Sequence, residues 1–417
     1  MTQNRSIKLT VLVAALGYFV DIYDLLLFGI VRVPSLRAIG VPEQDLLEVG
    51  IQLINSQMAG LLVGGIIWGI WGDKKGRLSV LFSSILLYSL ANIANAFVTT
   101  PTAYAALRFF AGIGLAGELG AAITLVSELM SKETRGIGTT VVASVGILGA
   151  VFASLVGDLF DWKTAYIVGG GMGLALLLLR LKMFESGLYE NLEKATHVRK
   201  GDFFMLFRSM DRFWKYARCI LIGVPIWFVI GILITFSPEL AKELNVQEPI
   251  RASTAIMTAY LGLSLGDLCS GLLSQFMRSR RKVVGIFLAL TLGGMIAYAN
   301  ARGVSAAVFY ALCLFLGFAV GYWAVFVTVG AEQFGTNLRA TVATTVPNFV
   351  RGSVVPVTLS FQYFSKTLGW SLVSSAMTVG AITLAIASLA LWKMQETFAK
   401  DLDYLEEHDS VLTGQNS

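Results

Sequence analysis

The chain has 417 residues, is 55% hydrophobic, carries charge at only 14% of its positions and has a formal net charge of +5. Soluble domains carry about 25% charged residues, so a soluble enzyme or nucleic-acid-binding domain is excluded; the Lys and Arg residues stand in short clusters between apolar runs, not on one basic surface. His197 and His408 lie outside the apolar runs, and Cys219, Cys269 and Cys313 lie inside or at the edge of them, so no metal cluster, disulfide set or intramembrane catalytic dyad is expected.

Apolar runs long enough to cross a bilayer recur from end to end and predict twelve spans, at about 9–33, 49–71, 78–98, 103–129, 137–158, 164–184, 215–237, 253–276, 283–300, 304–329, 339–364 and 370–392. They are called spans 1 to 12 below. Span 1 contains "GYFVDIYDLLLFGIV", with Asp21 and Asp24 inside it. It is too long and too acidic for a cleavable signal. A carboxylate at mid-bilayer costs roughly 2.5–3.5 kcal/mol on insertion scales and is functional by default. The two acids are three residues apart and share a helix face, with Asp24 about 4.5 Å further along the axis. Span 4 holds Glu118 near its middle and Arg108 about 15 Å away along the helix, close enough for a long Arg side chain to pair with Asp24. Its ridge of Gly112, Gly114, Gly117 and Gly120 suits close helix packing.

The longest connection, roughly 185–214, separates six spans from six. Its "GDFFMLFRSMDRFWKYAR" reads as a basic amphipathic helix on the membrane surface. Span 8 holds Asp267. Span 11 holds Arg351 between Pro347 and Pro356, which weaken the helix and suit a bend lining a cavity. After Lys400 the chain is polar and acidic. The expected division is 1–190, a first bundle; 191–213, a linker; 214–400, a second bundle; and 401–417, a polar tail. The basic connections alternate with less basic ones: Lys74, Lys75 and Arg77, then Lys132 and Arg135, then 193–218, then Arg278, Arg280, Arg281 and Lys282, then Arg339. The positive-inside rule puts these, and both termini, in the cytoplasm.

The two halves repeat. Glu128 and Glu332, Arg135 and Arg339, Gly117 and Gly321, and Pro34 and Pro238 are each separated by 204 residues. A six-plus-six repeat places a binding site near the midplane between the halves. The same shift sorts the charges. Asp21 meets Pro225, Asp24 meets Phe228, Arg108 meets Leu312, Glu118 meets Tyr322, Arg351 meets Ile147 and Asp267 meets Val63. Positions with a twin are candidates for scaffold, and charges without one are candidates for the site.

Between spans 2 and 3 stands "GGIIWGIWGDKKGRLSV" (64–80). Gly69, Gly72, Asp73, Gly76 and Arg77 resemble the cytoplasmic loop signature of the major facilitator superfamily. The matching loop of the second half, "GLLSQFMRSRRK", keeps the small residues and the basic run but has no Asp. The resemblance implies an all-α membrane protein, twelve transmembrane helices in two six-helix bundles (the major facilitator fold), working by alternating access in the bacterial inner membrane. It implies a single chain with no cofactor and no nucleic-acid partner, taking a small-molecule substrate and protons across the lipid bilayer. In that family the loop locks the outward-open state. The expected lock is Gly72, Asp73, Gly76 and Arg77 with Glu128, Arg135, Glu332 and Arg339, Asp73 accepting from amides at the start of span 11. The alternative is ordinary snorkelling charges.

A narrower resemblance covers most of residues 17–192. "DIYDLLLFG", "RFFAGIGLAGELGAAITLVSEL" and "FESGLYENL" resemble the metabolite:proton and aromatic-acid:proton symporters. The implied function is proton-coupled symport of a small organic anion or zwitterionic metabolite. Proton coupling is expected at Asp21, Asp24, Glu118 and Asp267, because close carboxylates in low dielectric favour holding a proton. Substrate binding is expected at Arg351 and Arg108, with Tyr23, Trp227, Tyr322 and Trp323 as cavity walls. The bland alternatives are a static Arg108–Asp24 pair, a constant Arg351–Asp267 bridge, and aromatics that only pack. Asp267 releasing Arg351 to a substrate carboxylate stands beside the constant bridge. Two other functions compete: an exporter or exchanger of an amphipathic compound, and a membrane substrate sensor. Span 5 lacks the Gly-Pro element of exchangers, which favours symport.

Overall fold

The computed structural model describes residues 2–75, 77–118, 135–185 and 203–398, without side chains for 2–10, 72–74, 77–78, 135–141, 143–144, 182–185, 336–337 and 339–340. Among the described residues every regular element is a helix. Eight helices are long and apolar enough to cross a membrane, and two shorter apolar ones, Ser79–Asn95 and Val145–Leu159, accompany them. Helix is the only solution for such runs, because hydrocarbon offers their amides no partner but their own carbonyls. The chain has the fold expected of it, twelve spans in two six-helix bundles.

The packing repeats with the sequence. In the first half span 1 lies on span 5, span 2 on span 4, and span 3 on spans 4 and 6. In the second half span 8 lies on span 10, and span 9 on spans 10 and 12. The halves meet along spans 2 and 11 and along spans 5 and 8, pairings that the repeat exchanges.

Two spans are broken at equivalent places. Span 4 is helical over Pro101–Leu115 and then turns at 116–117. Span 10 is helical over Ala306–Ala319, opens at 320–322 and resumes at Trp323–Glu332. Leu115 and Ala319 are again 204 apart. At the second break Gly321 lies so close to span 8 that a Cβ would stand 2.5 Å from the Cα of Gly266; only glycine fits. Span 11 runs over Thr336–Gly352 and Val354–Gln362. Pro356 explains the interruption at Ser353: it has no N–H for the carbonyl of Gly352, and its ring crowds that carbonyl. The interruption falls between Pro347 and Pro356, just beyond Arg351.

Two helices form within the amphipathic segment. A short helix, Met205–Arg208, precedes Met210–Leu221, and the latter leads through 222–223 into Val224–Phe228 and a π-helical stretch, Val229–Ile234. Met210–Leu221 is amphipathic, with Met210 and Trp214 exposed and Arg212, Tyr216 and Cys219 buried, and it runs on into the apolar stretch of span 7. Residues 186–202 lie outside the described residues.

At the end remote from the 72–77 loop the halves are tied together. Arg32 meets Glu239 at 2.5 Å and lies over the Phe236 ring at 4.8 Å. Lys366 pairs with Glu48. Ser253 donates to Asp158 at 2.7 Å, and Thr358 to Asn55 at 2.6 Å.

Candidate functional site

Arg351 is buried, with 1% exposure, at the contact between the two halves. Its Nη2 lies 3.4 Å from Asp21 Oδ2, joining span 11 to span 1. The guanidinium carbon lies 6.0 Å from the ring of Trp227 and 5.9 Å from that of Trp323. Both rings face a desolvated cation, an attraction worth about 2 kcal/mol where water is excluded. Arg351 Nε and Nη1, and Asp21 Oδ1, have no hydrogen-bond partner among the described residues. Buried groups of this kind are rarely left so; Nη1, together with Nη2 once Asp21 gives it up, would form the fork that matches the two oxygens of a carboxylate.

Asp267 is not the partner of Arg351. Its Oδ1 accepts the Ala324 amide at 3.0 Å, in the first turn of Trp323–Glu332. The break in span 10 exposes amides that no carbonyl of their own helix can take. A carboxylate beside them is a favourable cap, so the bridge to Arg351 gives way to the cap.

The Arg108–Asp24 pair is also altered. Arg108 Nη1 donates to Asn92 Oδ1 at 3.2 Å, and Nη2 reaches the main-chain carbonyl of Asp24 at 3.5 Å, the weak limit of a hydrogen bond. The rings of Phe28 and Tyr166 lie 5.6 and 5.7 Å from its guanidinium carbon. Both carboxylate oxygens of Asp24 are buried without a hydrogen-bond partner among the described residues. The residues meet, but through a carbonyl.

Glu118 has a partner that sequence reasoning missed. Arg180 of span 6 holds it through two bonds, of 2.5 and 3.1 Å. Gly17 lets span 1 cross close to this pair: a Cβ there would stand 2.1 Å from Glu118 Oε1 and 2.4 Å from Arg180 Nη2, and the pair would have to shift. Asp21, Asp24, Glu118, Arg108, Arg180 and Arg351 are all nearly or wholly buried. Such a set persists only when charges compensate one another.

Of the four aromatic candidates, Trp227 and Trp323 flank Arg351, as above. The hydroxyl of Tyr23 donates to the Ala165 carbonyl and that of Tyr322 to the Ile222 carbonyl, each at 2.8 Å, and both side chains are fully buried. Gly76 and Glu128, and the side-chain surroundings of Gly72, Asp73, Arg77, Arg135 and Arg339, lie outside the described residues. Glu332 accepts from Arg280 at 3.5 Å and from the Thr397 hydroxyl at 2.7 Å. The structure also brings in Arg32, Asn92 and Asn348. The repeat shift flags two of the missed charges: Arg32 falls on Phe236 and Arg180 on Leu384, so neither has a charged twin. Among the described residues no group of His, Cys, Asp and Glu is placed to hold a metal ion.

A twelve-span fold with broken spans and a compensated charge layer between its halves is that of a secondary transporter. The model of the Major Facilitator Superfamily matches residues 14–351, and the chain belongs to that superfamily. It is a multi-pass membrane transporter and not an enzyme. It is 25% identical over 392 residues to a candidate niacin/nicotinamide transporter of Bacillus subtilis (strain 168), covering 91% of this chain and 94% of that one. It is 23% identical over 405 residues to a gentisate transporter of Corynebacterium glutamicum, covering 91% of this chain and 86% of that one. A solved D-xylose–proton symporter has the same fold, with a TM-score of 0.70 at 17% identity over 94% of this chain and 99% of that one.

Proposed function

We propose that the protein is a proton-coupled symporter of a small aromatic or similarly apolar monocarboxylate, with both termini in the cytoplasm. The observation that carries this reading is Arg351: buried, flanked by two indoles, with two donors unused and one shared with Asp21. The unused donors suit a carboxylate, and Trp227 and Trp323 suit a flat ring beside it. The niacin and gentisate named for the relatives are aromatic acids, which supports the same class.

Coupling follows from counting charges. Arg351 bonded to ionised Asp21 is already neutralised, so a substrate carboxylate would add an uncompensated charge to a buried layer. A proton on Asp21 removes that conflict and hands Arg351 to the substrate. Proton and anion then enter together, and the loaded layer crosses the occluded state no more charged than the empty one. Asp24, on the same face of span 1, is the second acid through which the proton arrives. Glu118 stays with Arg180, and Asp267 with the break in span 10.

Uptake into proteoliposomes under an imposed pH gradient tests this. Benzoate-like acids should accumulate when the outside is acidic. Arg351→Ala should abolish binding, and Arg351→Lys should weaken it roughly tenfold by losing the fork. Asp21→Asn should bind substrate with an affinity that no longer rises on acidification; it should exchange substrate at equal pH but not accumulate it. Asp24→Asn separates the two acids: if it alone abolishes accumulation while Asp21→Asn is normal, the coupling acid is Asp24. Normal accumulation in both variants defeats the proton reading, and normal binding in Arg351→Ala defeats the carboxylate reading.

A further inference from the structure

A cleft of about 910 Å³ opens between spans 9 and 12, at the end of the bundle that carries the basic loops. It shares no residue with the Arg351 layer. Its mouth is cationic, with Arg278, Arg281 and Lys282, and its length is apolar, with Leu288 and Leu292 on one side and Leu384 on the other. Leu292 and Trp392 are 47% and 69% exposed, so the cleft faces outward from the bundle into the lipid.

The mouth is short of acid. Among the described residues Glu396 is the only acidic one lining the cleft. It is occupied by the Ser279 hydroxyl and by the amides of Arg280 and Arg281, at 2.9 and 3.3 Å. It therefore caps the start of Arg280–Ala299 and leaves the cations largely uncompensated. Arg280 turns away to Glu332, and Arg281 braces the rim by donating to the Trp392 carbonyl at 2.7 Å. Arg278 and Lys282 are exposed and make no side-chain ion pair among the described residues. Arg278 also sits at φ 49°, the left-handed region where a helix end usually places Gly or Asn. An arginine kept in that conformation points to a use for its side chain.

The repeat supplies an independent reason. Residues 276–281 stand where 72–77 stand in the first half; Met277 replaces Asp73, and Arg278 replaces Lys74. The second loop has lost the acid of the signature and kept its cations. Loop orientation by positive charge needs cations anywhere in the loop. It does not need them at the head of an apolar cleft.

We propose that the cleft between spans 9 and 12 binds an anionic diacyl phospholipid, with its phosphate at Arg278 and Lys282 and an acyl chain along Leu288, Leu292 and Leu384. Basic pockets between transmembrane helices select such headgroups. A neutral lipid leaves the cations unused, and a free phosphate ester leaves the apolar length unused.

Native mass spectrometry of the full chain, titrated in mild detergent, tests the site with phosphatidylglycerol, phosphatidylcholine of the same chains, and glycerol 3-phosphate. Phosphatidylglycerol should bind roughly thirty-fold more tightly than phosphatidylcholine, about a factor of five for each of two cations. Arg278→Gln with Lys282→Gln should bring it down to the phosphatidylcholine level while phosphatidylcholine binding is unchanged, which also shows that the variant is folded. Gly285→Trp fills the cleft, since the Cβ direction leads only to Leu391 Cδ2 at 3.6 Å; it should lower the retention of both lipids. Equal binding of the two lipids, a preserved preference in the double Gln variant, or competition by glycerol 3-phosphate at the same concentration as phosphatidylglycerol would each overturn the proposal.

Discussion

The breaks in spans 4 and 10 occupy equivalent positions, yet their freed polar groups are satisfied in different ways. In span 10 both sides are served from within the second half: Thr291 donates to the Ala319 carbonyl at 3.1 Å, and Asp267 accepts from Ala324. In span 4 the Ile113 carbonyl accepts from the Trp68 indole at 2.6 Å within the first half, but the Ala116 carbonyl accepts from Asn348 of span 11 at 2.9 Å, across the contact between halves. A break completed inside one bundle is kept when the bundles rock. A break completed across the contact loses a bond when spans 4 and 11 part. The residues three after Leu115 and Ala319 differ too: Glu118 with its Arg180 partner in one half, and Tyr322 on the Ile222 carbonyl in the other. The repeat has kept the backbone feature and changed what it serves.

The largest expected effect of breaking this comparison is on stability. Glu118→Gln takes the charge from the acceptor of two bonds from Arg180 and should destabilise, by at most about 3–5 kcal/mol, the cost of breaking a buried ion pair outright. Tyr322→Phe, at the equivalent position, removes one neutral hydrogen bond and should cost about 1 kcal/mol. Thermal unfolding in detergent should rank them in that order. Glu118→Leu combined with Arg180→Met should recover most of the loss, because removing both charges removes the desolvation cost as well. A Glu118→Gln variant that melts with the parent would show that the pair contributes no stability.

A smaller effect sharpens the distinction between a break that senses the other half and one that does not. Asn348→Ala removes a bond made only while spans 4 and 11 touch. Losing about 1 kcal/mol should move the population roughly fivefold towards states with those spans apart. Spin labels placed across the contact would read the change as a longer distance distribution. Asp267→Ala should instead lower stability by about 1 kcal/mol in every state, with the distance distribution unchanged. The opposite pattern would make span 10, not span 4, the element that follows the movement.

Much of this was legible in the residues. Hydropathy gave the spans, and the 204-residue shift picked out Asp21 and Arg351, which meet from opposite halves. What was not legible is which charge pairs with which. Asp267 is as apolar in its surroundings as Asp21, and only the opening of span 10 decides that it caps amides. That opening is a tertiary matter: Gly321 permits it, but the close approach of Gly266 makes use of it. Arg180, in "LLLLRLKMFE", reads as a snorkelling residue at a span end. Its direction inward is set by the bonds to Glu118, and sequence spacing does not record a contact across 62 positions.

The smallest prediction concerns the starts of spans 6 and 12, counterparts again. Span 12 is capped partly from afar: Ser371 accepts the Ser374 amide, and Glu243 from the end of span 7 accepts the amides of Leu372 and Val373 at 2.7 and 3.0 Å. Span 6 is capped by its own chain. Asp161 accepts the amides of Thr164 at 3.0 Å and Lys163 at 2.9 Å, and the Thr164 hydroxyl at 2.9 Å. The bonds from the Thr164 amide and hydroxyl hold the Asp161 carboxyl below its ordinary value of 3.8. Its contribution is therefore complete above that ordinary value and fades as pH falls through the lower folded value. Asp161→Ala should cost about 1 kcal/mol at neutral pH, and the cost should shrink in strong acid as the parent loses the same charge. Hydrogen exchange should quicken at 163–165 and stay unchanged at 372–374, because the cap of span 6 is local. Quickening at both starts would mean that the ends of the two halves remote from the 72–77 loop unfold as one unit, and the ion pairs Arg32–Glu239 and Lys366–Glu48 would be the contacts that join them.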